Sequence, residues 1–248
     1  MSHLIAIANL VNVDGALTAR MALAATVTIV FAVFARLVRG VTLSGAVAGA
    51  LVCFALFAAA GPAAFFALLA VFALTWISTR LGYSRKQKIG TAEKRDGRTA
   101  SQVFANLGVA AIAALLYAAF HGQSVFLLVL FAALSEAAAD TVSSEVGQAR
   151  SDRARLITTF EEVPAGTDGG VTIAGTLAGL AAAGIVSSIA LATTLPRSAI
   201  AVSIVSAALG MMTDSVLGAA LERRNLLNND AVNLLGTVIA ALVAFLLG

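Results

Sequence analysis

The sequence predicts an all-α fold: a polytopic membrane helical bundle of about seven to eight transmembrane helices, with traces of internal repeats. Three observations carry the prediction. Of 248 residues, 60% are hydrophobic and only 12% charged, against about 25% charged in soluble domains. The apolar residues fall in runs close to the ~20 that a membrane-crossing helix needs. The runs show no strand alternation and are too long for a porin, which leaves helices as the spanning element.

Eight spans follow in order, near 16–35, 41–60, 62–79, 101–120, 123–146, 169–194, 197–220 and 230–247. The first is the least regular, because Arg20 sits near its start, and the N-terminus lacks the basic start and cleavage site of a secretory signal. The chain reads as a single integral membrane domain over 1–248, with a basic loop at 80–98 and a second hydrophilic loop at 147–168.

Charge orients the spans. Fourteen of the sixteen Lys and Arg residues lie in four stretches: Arg36 and Arg39, seven residues within 80–98, Arg150 to Arg155, and Arg223 with Arg224. The intervening connections, Gly61-Pro62, His121-Gly122-Gln123 and the turn at Pro196-Arg197, are almost free of charge. By the positive-inside rule this pattern places the basic loops in the cytoplasm and both termini outside. The formal charge of +3 comes from these loops and suits anionic lipid headgroups or an anionic substrate. Arg36, Arg39 and the Arg85-Lys86-Gln87-Lys88 run read as a lipid-facing apron, and no nucleic-acid partner is expected. Cys53, alone in an Ala/Leu/Phe run, reads as a packed small residue. His3 and His121 have no Cys or His neighbours at zinc spacing.

Internal similarity supports repeated helix pairs. Gly40-Val41-Thr42-Leu43-Ser44-Gly45-Ala46-Val47-Ala48-Gly49 matches residues 170–179 at six of ten positions, and both stretches open a span. A looser echo opens the last span at Asp230, Val232-Asn233 and Gly236-Thr237. Asp140-Thr141-Val142 and Asp214-Ser215-Val216 close two others. The Gly45-xxx-Gly49 and Gly175-xxx-Gly179 spacings read as close helix packing, whereas Gly169 and Gly170, beside Asp168, read as backbone N–H groups offered to a phosphate.

Ionisable groups at membrane depth are functional candidates by default. Glu136 and Asp140 are four residues apart on one helix face, where two carboxylates repel unless a cation or proton lies between them. With oxygen ligands and no His or Cys, the expected cation is Mg²⁺. Asp168, Asp214 and Asp230 converge with these two at one membrane depth, Asp168 and Asp230 also being suited to helix N-caps, while Glu145 is rotated by about 140° from Asp140 toward a different neighbour. Gln102, Asn106, Asn229 and Asn233 add amides at this level. Opposite them, Lys94, Arg95 and Arg98 can hold phosphate oxygens. Metal-binding acids facing a basic clamp are the parts of phosphoryl transfer, although no soluble nucleotide-binding motif occurs.

These residues carry a family resemblance. Lys94-Arg95-Asp96-Gly97-Arg98-Thr99 through Gln102-Val103 and Ala105-Asn106, Ala139-Asp140-Thr141 with Ser144-Glu145 and Gly147, and Leu156-Ile157-Thr158-Thr159 with Gly166-Thr167-Asp168-Gly169-Gly170-Val171 resemble the integral membrane family of transmembrane protein 19. Asp214-Ser215-Val216-Leu217-Gly218-Ala219 and Asn228-Asn229-Asp230 with Val232-Asn233 complete the match, which covers about residues 40–248. Leu107 is a departure, standing where the family usually has Gly. The family includes a plant phytyl-phosphate kinase. The resemblance implies phosphorylation of an isoprenoid monophosphate, such as phytyl or geranylgeranyl phosphate, by CTP or another nucleoside triphosphate at the cytoplasmic face. Asp140, Glu145, Asp168, Asp214 and Glu136 would then hold Mg²⁺. Lys94, Arg95 and Arg98 would hold phosphates together with Thr167, Gly169 and Gly170, and Asn106, Asn229, Asp230 and Asn233 would shape the pocket. Lys94, Asp140, Asp168 and Asp214 are the catalytic candidates. A carrier for a cation or anionic metabolite, and a CTP-dependent lipid nucleotidyltransferase, are the alternatives. The outer halves of the spans are nearly bare of polar groups, which favours an enzyme over a carrier.

Overall fold

A computed structural model describes residues 2–248, with side chains from Leu17 onward; His3 lies outside the side chains described. Among the described residues eight helices are long and apolar enough to cross a membrane, and the protein is a polytopic all-α membrane protein. The helices are α1 (Ser2–Leu37), α2 (Leu43–Ala60), α3 (Pro62–Arg80), the short α4 (Tyr83–Lys88), α5 (Ala100–Ala119), α6 (Ser124–Arg150), α7 (Ile173–Ser188), α8 (Ser198–Ala220) and α9 (Asn229–Leu247). Within α1 the apolar span is Leu17–Leu37. Arg20 at its start donates to the Ala59 carbonyl at the end of α2 (3.2 Å), so its charge serves an exposed helix end.

Helix α6 is the axis of the bundle. In its most apolar stretch 83% of residues are buried, against 17–39% for the other spans. It packs on α3, α5, α7, α8 and α9, while α1 is carried by α2. Lipid tails are as apolar as Leu, so close packing of small residues rather than the hydrophobic effect holds such a bundle together. A Cβ on Gly175 of α7 would lie 2.5 Å from the Ser143 carbonyl of α6, and one on Gly179 would lie 2.7 Å from that of Ala139. The Ser135 and Ser187 hydroxyls join the same two helices (2.8 Å). On the other side, α1 meets α3 through edge-on rings, Phe31 with Phe72 at 5.3 Å and with Phe65 at 5.9 Å. Cys53 is buried and accepts from the Thr28 hydroxyl, in keeping with a packed small residue.

The repeat read from the sequence has a structural counterpart. Thr42 caps α2 by accepting from Gly45 N, and Thr172 caps α7 by accepting from Gly175 N. Val41 bridges to Arg98, and Val171 pairs with Arg155.

One element has no period long enough to be seen in the sequence. Between α6 and α7 a small antiparallel sheet forms from β1 (Arg153–Leu156), β2 (Glu162–Pro164) and β3 (Gly170–Val171), in the order β2-β1-β3. It shortens the sixth span, which starts at Ile173 rather than near 169. It also changes the reading of Gly169 and Gly170: they do not open a helix, because Gly170 lies in β3 and Thr172 is the cap of α7.

Candidate functional site

Every polar loop except the short turns at the opposite end of the bundle gathers at the basic face, and beneath them lies a polar cavity of about 210 Å³. Its floor is a chain of side chains on four helices. Asp140 of α6 and Asp214 of α8 line the cavity side by side, close enough for their carboxyl groups to interact. The Asn233 amide of α9, oriented to satisfy its neighbours, donates to Asp214 Oδ2 (3.2 Å) and to the Asn229 carbonyl (3.3 Å). Its oxygen accepts from Asn106 Nδ2 of α5 (3.2 Å), which also donates to the Gln102 carbonyl (2.8 Å).

Arg98 faces this chain. Its guanidinium lies 3.4 Å from Thr141 Oγ1, with its charge acting on Asp140. The backbone fixes that position. Arg98 N donates to the Gly40 carbonyl (3.1 Å), and its own carbonyl accepts from Thr42 N (2.9 Å). The turn before it needs glycine: Gly97 has φ +85°, and a Cβ there would lie 2.5 Å from Val41 N. Gly45 lets α2 come up under the Arg98 carbonyl.

The roof is the segment Gly166-Thr167-Asp168-Gly169 between β2 and β3 together with Gly170 of β3, all of which line the cavity. It docks backbone to backbone on α8. Gly169 has φ +74°, and a Cβ on Gly218 would lie 2.9 Å from Gly169 N. Thr167 Oγ1 donates to the Pro164 carbonyl (2.8 Å), and Gly170 N to the Thr167 carbonyl (2.8 Å). This docking sets Asp168 close enough to Asp214 and Glu222 for their charges to interact.

The structure thus brings together Arg98, Asn106, Asp140, Glu145, Thr167, Asp168, Gly169, Gly170, Asp214, Asn229 and Asn233. It separates others. Lys94 and Arg95 do not line the polar cavity; they lie at the mouth of a neighbouring apolar groove, which Arg98 shares with them. Glu145 lines the cavity, but its carboxylate is already held by Lys86. Lys86 is no part of a lipid-facing apron: it is completely buried, and its ammonium also donates to the carbonyls of Ser78 (3.1 Å) and Thr79 (2.7 Å). Asp230 neither reaches the cavity nor caps α9, since Asn228 accepts from Ala231 N (2.9 Å) in that role. Asp168 likewise leaves the capping of α7 to Thr172. Glu136 sits one turn below Asp140, fully enclosed, with Oε1 lacking a partner. Gly210 and Gly236 make room for it, a Cβ on the latter falling 2.7 Å from Oε1.

Two acidic residues of the cavity escaped the sequence reading. Glu93 accepts from Gln102 Nε2 (3.1 Å) and lines both the cavity and the groove. Glu222 closes the far wall. Both lie in charged loops, and only tertiary structure distinguishes them from solvated neighbours.

The donor set bears on a metal. Among the described residues no group of three or more His, Cys, Asp or Glu stands ready to hold an ion; of the acids read from the sequence as metal ligands, Asp140, Glu145, Asp168 and Asp214 line the cavity. A pair of neighbouring carboxyl groups with an orphaned carboxylate oxygen beneath does suit Mg²⁺. That ion keeps several waters and is held by one or two carboxylates plus substrate phosphates.

Fold and site together define a class: a polytopic helical membrane protein whose acids, amides and one arginine line a polar cavity at the basic end of the bundle. The chain belongs to the integral membrane protein DUF92 family, whose profile matches residues 26–241. It is similar to an uncharacterized membrane protein of Methanocaldococcus jannaschii, 30% identical over 182 residues, which are 73% of this chain and 74% of the relative. It is 31% identical over 222 residues to the chloroplastic protein VTE6 of Arabidopsis thaliana, covering 85% of this chain and 66% of that protein. An uncharacterized membrane protein of Synechocystis is 34% identical over 196 residues, 76% of this chain and 75% of its own. No solved structure matches the chain.

Proposed function

We propose that the protein is a membrane-embedded kinase that transfers a phosphoryl group from CTP or another nucleoside triphosphate to an isoprenoid monophosphate at the cytoplasmic face. The observation that carries the reading is the Asp140–Asp214 carboxyl pair set opposite Arg98 in one polar cavity. The family resemblance, which takes in a plant phytyl-phosphate kinase, supports it.

Two neighbouring carboxyl groups cannot both be charged and unaccompanied. When Mg²⁺ is bound, Asp140 and Asp214 would hold it, and it would neutralise phosphate charge. Asn233 fixes Asp214, and Asn106 fixes Asn233. Arg98 can fork onto phosphate oxygens with its free N–H groups. An oxygen of the acceptor phosphate attacks the donor γ-phosphorus; the bond from that phosphorus to the β-phosphate oxygen breaks, and nucleoside diphosphate leaves. The acceptor's second pKa is near 6, so its nucleophilic oxygen is ionised at pH 7 and no general base is required. Positioning and charge stabilisation then supply the catalysis.

The test is a product assay on purified protein with Mg²⁺, CTP or ATP, and phytyl or geranylgeranyl monophosphate, resolving lipids and nucleotides. Lipid diphosphate with nucleoside diphosphate supports the kinase. A nucleotide–lipid conjugate with pyrophosphate would replace it by a nucleotidyltransferase. Absence of turnover beside nucleotide-independent solute uptake into proteoliposomes would replace it by a carrier.

A further inference from the structure

Beside the polar cavity runs a second, larger and mostly apolar one of about 350 Å³. It lies among α1, α2, α3, α5 and α6. Its mouth at the basic face carries Arg39, Arg80, Lys94 and Arg95. From there it descends past Trp76 and Phe72 to Leu68 and Phe31. Arg80 to Leu68 is twelve residues of α3, about 18 Å along the axis, more than half the ~30 Å hydrocarbon thickness.

The groove and the polar cavity share a wall made of Glu93, Arg98, Gln102 and Asn106. The same arginine that faces Asp140 therefore closes the top of an apolar channel.

The repeated glycines diverge at this place. In α7, Gly175 and Gly179 are both pressed against α6 backbone. In α2, Gly45 is pressed against Arg98, but a Cβ on Gly49 would meet nothing within 4 Å. Gly49 lines the groove instead of packing a helix, so its missing side chain leaves room inside the protein rather than bringing two helices together.

We infer that this groove is the acceptor site for a single-chain prenyl monophosphate, its tail lying between α1, α2, α3 and α5 and its phosphate reaching Arg98 at the shared wall. The inference rests on the kinase reading and deepens it. An apolar shaft with a cationic rim complements a long hydrocarbon bearing one anionic end. Its volume is at the low end for small-ligand sites, about 300–1,000 Å³, and accommodates one chain rather than a two-chain phospholipid. The arrangement brings the acceptor phosphate to the carboxyl pair from one side while the polar cavity admits the nucleotide from the other.

Trp76 is the protein's only tryptophan and sits in the groove wall, its Nε1 donating to the Val38 carbonyl (3.2 Å) and the Arg80 guanidinium 3.8 Å from its ring. Its emission reports occupancy without requiring turnover. In phosphatidylcholine nanodiscs, geranylgeranyl monophosphate should produce a saturable change in Trp76 emission that inorganic phosphate does not. Gly49→Leu should weaken that binding at least about tenfold, the scale of steric discrimination in an apolar pocket, while five-carbon isopentenyl monophosphate still binds. Ala32→Phe, which narrows the groove from α1, should act alike and guards against a folding defect in the first variant. A silent Trp76 in the wild type, unchanged affinity in both variants, or equal competition by phosphatidic acid would overturn the assignment. Product formation that both variants leave unchanged would keep the kinase and remove the groove. Saturable binding with no diphosphate formed in the presence of nucleotide would keep the groove and remove the kinase.

Discussion

Lys86 of α4 and Glu145 of α6 form an ion pair inside the protein, with no part of Lys86 exposed. The carbonyls of Ser78 and Thr79 complete the ammonium's shell, so one side chain ties α3, α4 and the end of the central helix together. Gly82, at φ +61°, lets the α3–α4 turn close on Ala149 beside it. Removing one member of a buried pair strands the other charge, at about 3–5 kcal/mol, whereas replacing both with apolar groups is often near neutral. Lys86→Met and Glu145→Met should each lower the unfolding temperature in detergent, and the double variant should recover most of the loss. Single variants as stable as the wild type would show that the pair holds nothing.

Arg98 is aimed by its neighbour. Gly97 combines φ +85° with backbone contact to Gly40 and Val41, so Gly97→Ala is strained by about 1–3 kcal/mol and must displace the turn carrying Arg98. Phosphoryl transfer should fall further than stability does. Transfer at the wild-type rate in a well-folded Gly97→Ala protein would remove Arg98 from the site.

Asn233 holds Asp214 from one side and Asn106 from the other. Losing a group that orients a metal-holding carboxylate typically costs about 10–100-fold in activity or affinity. Asn233→Ala should show that loss, with the Mg²⁺ concentration for half-maximal rate raised. A fall in rate at unchanged Mg²⁺ dependence would instead assign Asn233 to substrate binding.

Helices α8 and α9 close around Glu136 at Gly210 and Gly236, where a Cβ on Gly210 would lie 2.7 Å from the Gly236 carbonyl. Gly210→Ala should therefore destabilise the bundle by about 1–3 kcal/mol through overpacking, measured by thermal unfolding, whereas Gly49→Ala should leave stability unchanged. Equal effects at the two glycines would contradict the packing described.

The spans were legible because length and hydropathy determine them, and the structure moves their ends by only a few residues. Asp140, Asp214, Asn106 and Asn233 were legible because a polar group at membrane depth is costly unless it has a purpose. Lys86 was not. It follows Arg85 and precedes Lys88 in a run that looks solvated, and only the fold of α4 against α6 buries it. The sheet over 153–171 was hidden for another reason: strands of two to four residues leave no readable period. The clamp of Lys94, Arg95 and Arg98 seemed continuous in sequence, but the turn at Gly97 sends Arg98 to the cavity wall and leaves the other two at the groove mouth.

The central claim is that the Asp140–Asp214 pair supports phosphoryl transfer. Its most direct test compares wild type and Asp140→Asn for transfer of γ-labelled phosphate from CTP to geranylgeranyl monophosphate, with thermal unfolding followed in parallel. The account predicts labelled lipid diphosphate from the wild type and a loss on the order of 10³-fold or more in the variant, at unchanged stability. Full transfer by a folded Asp140→Asn protein would contradict it.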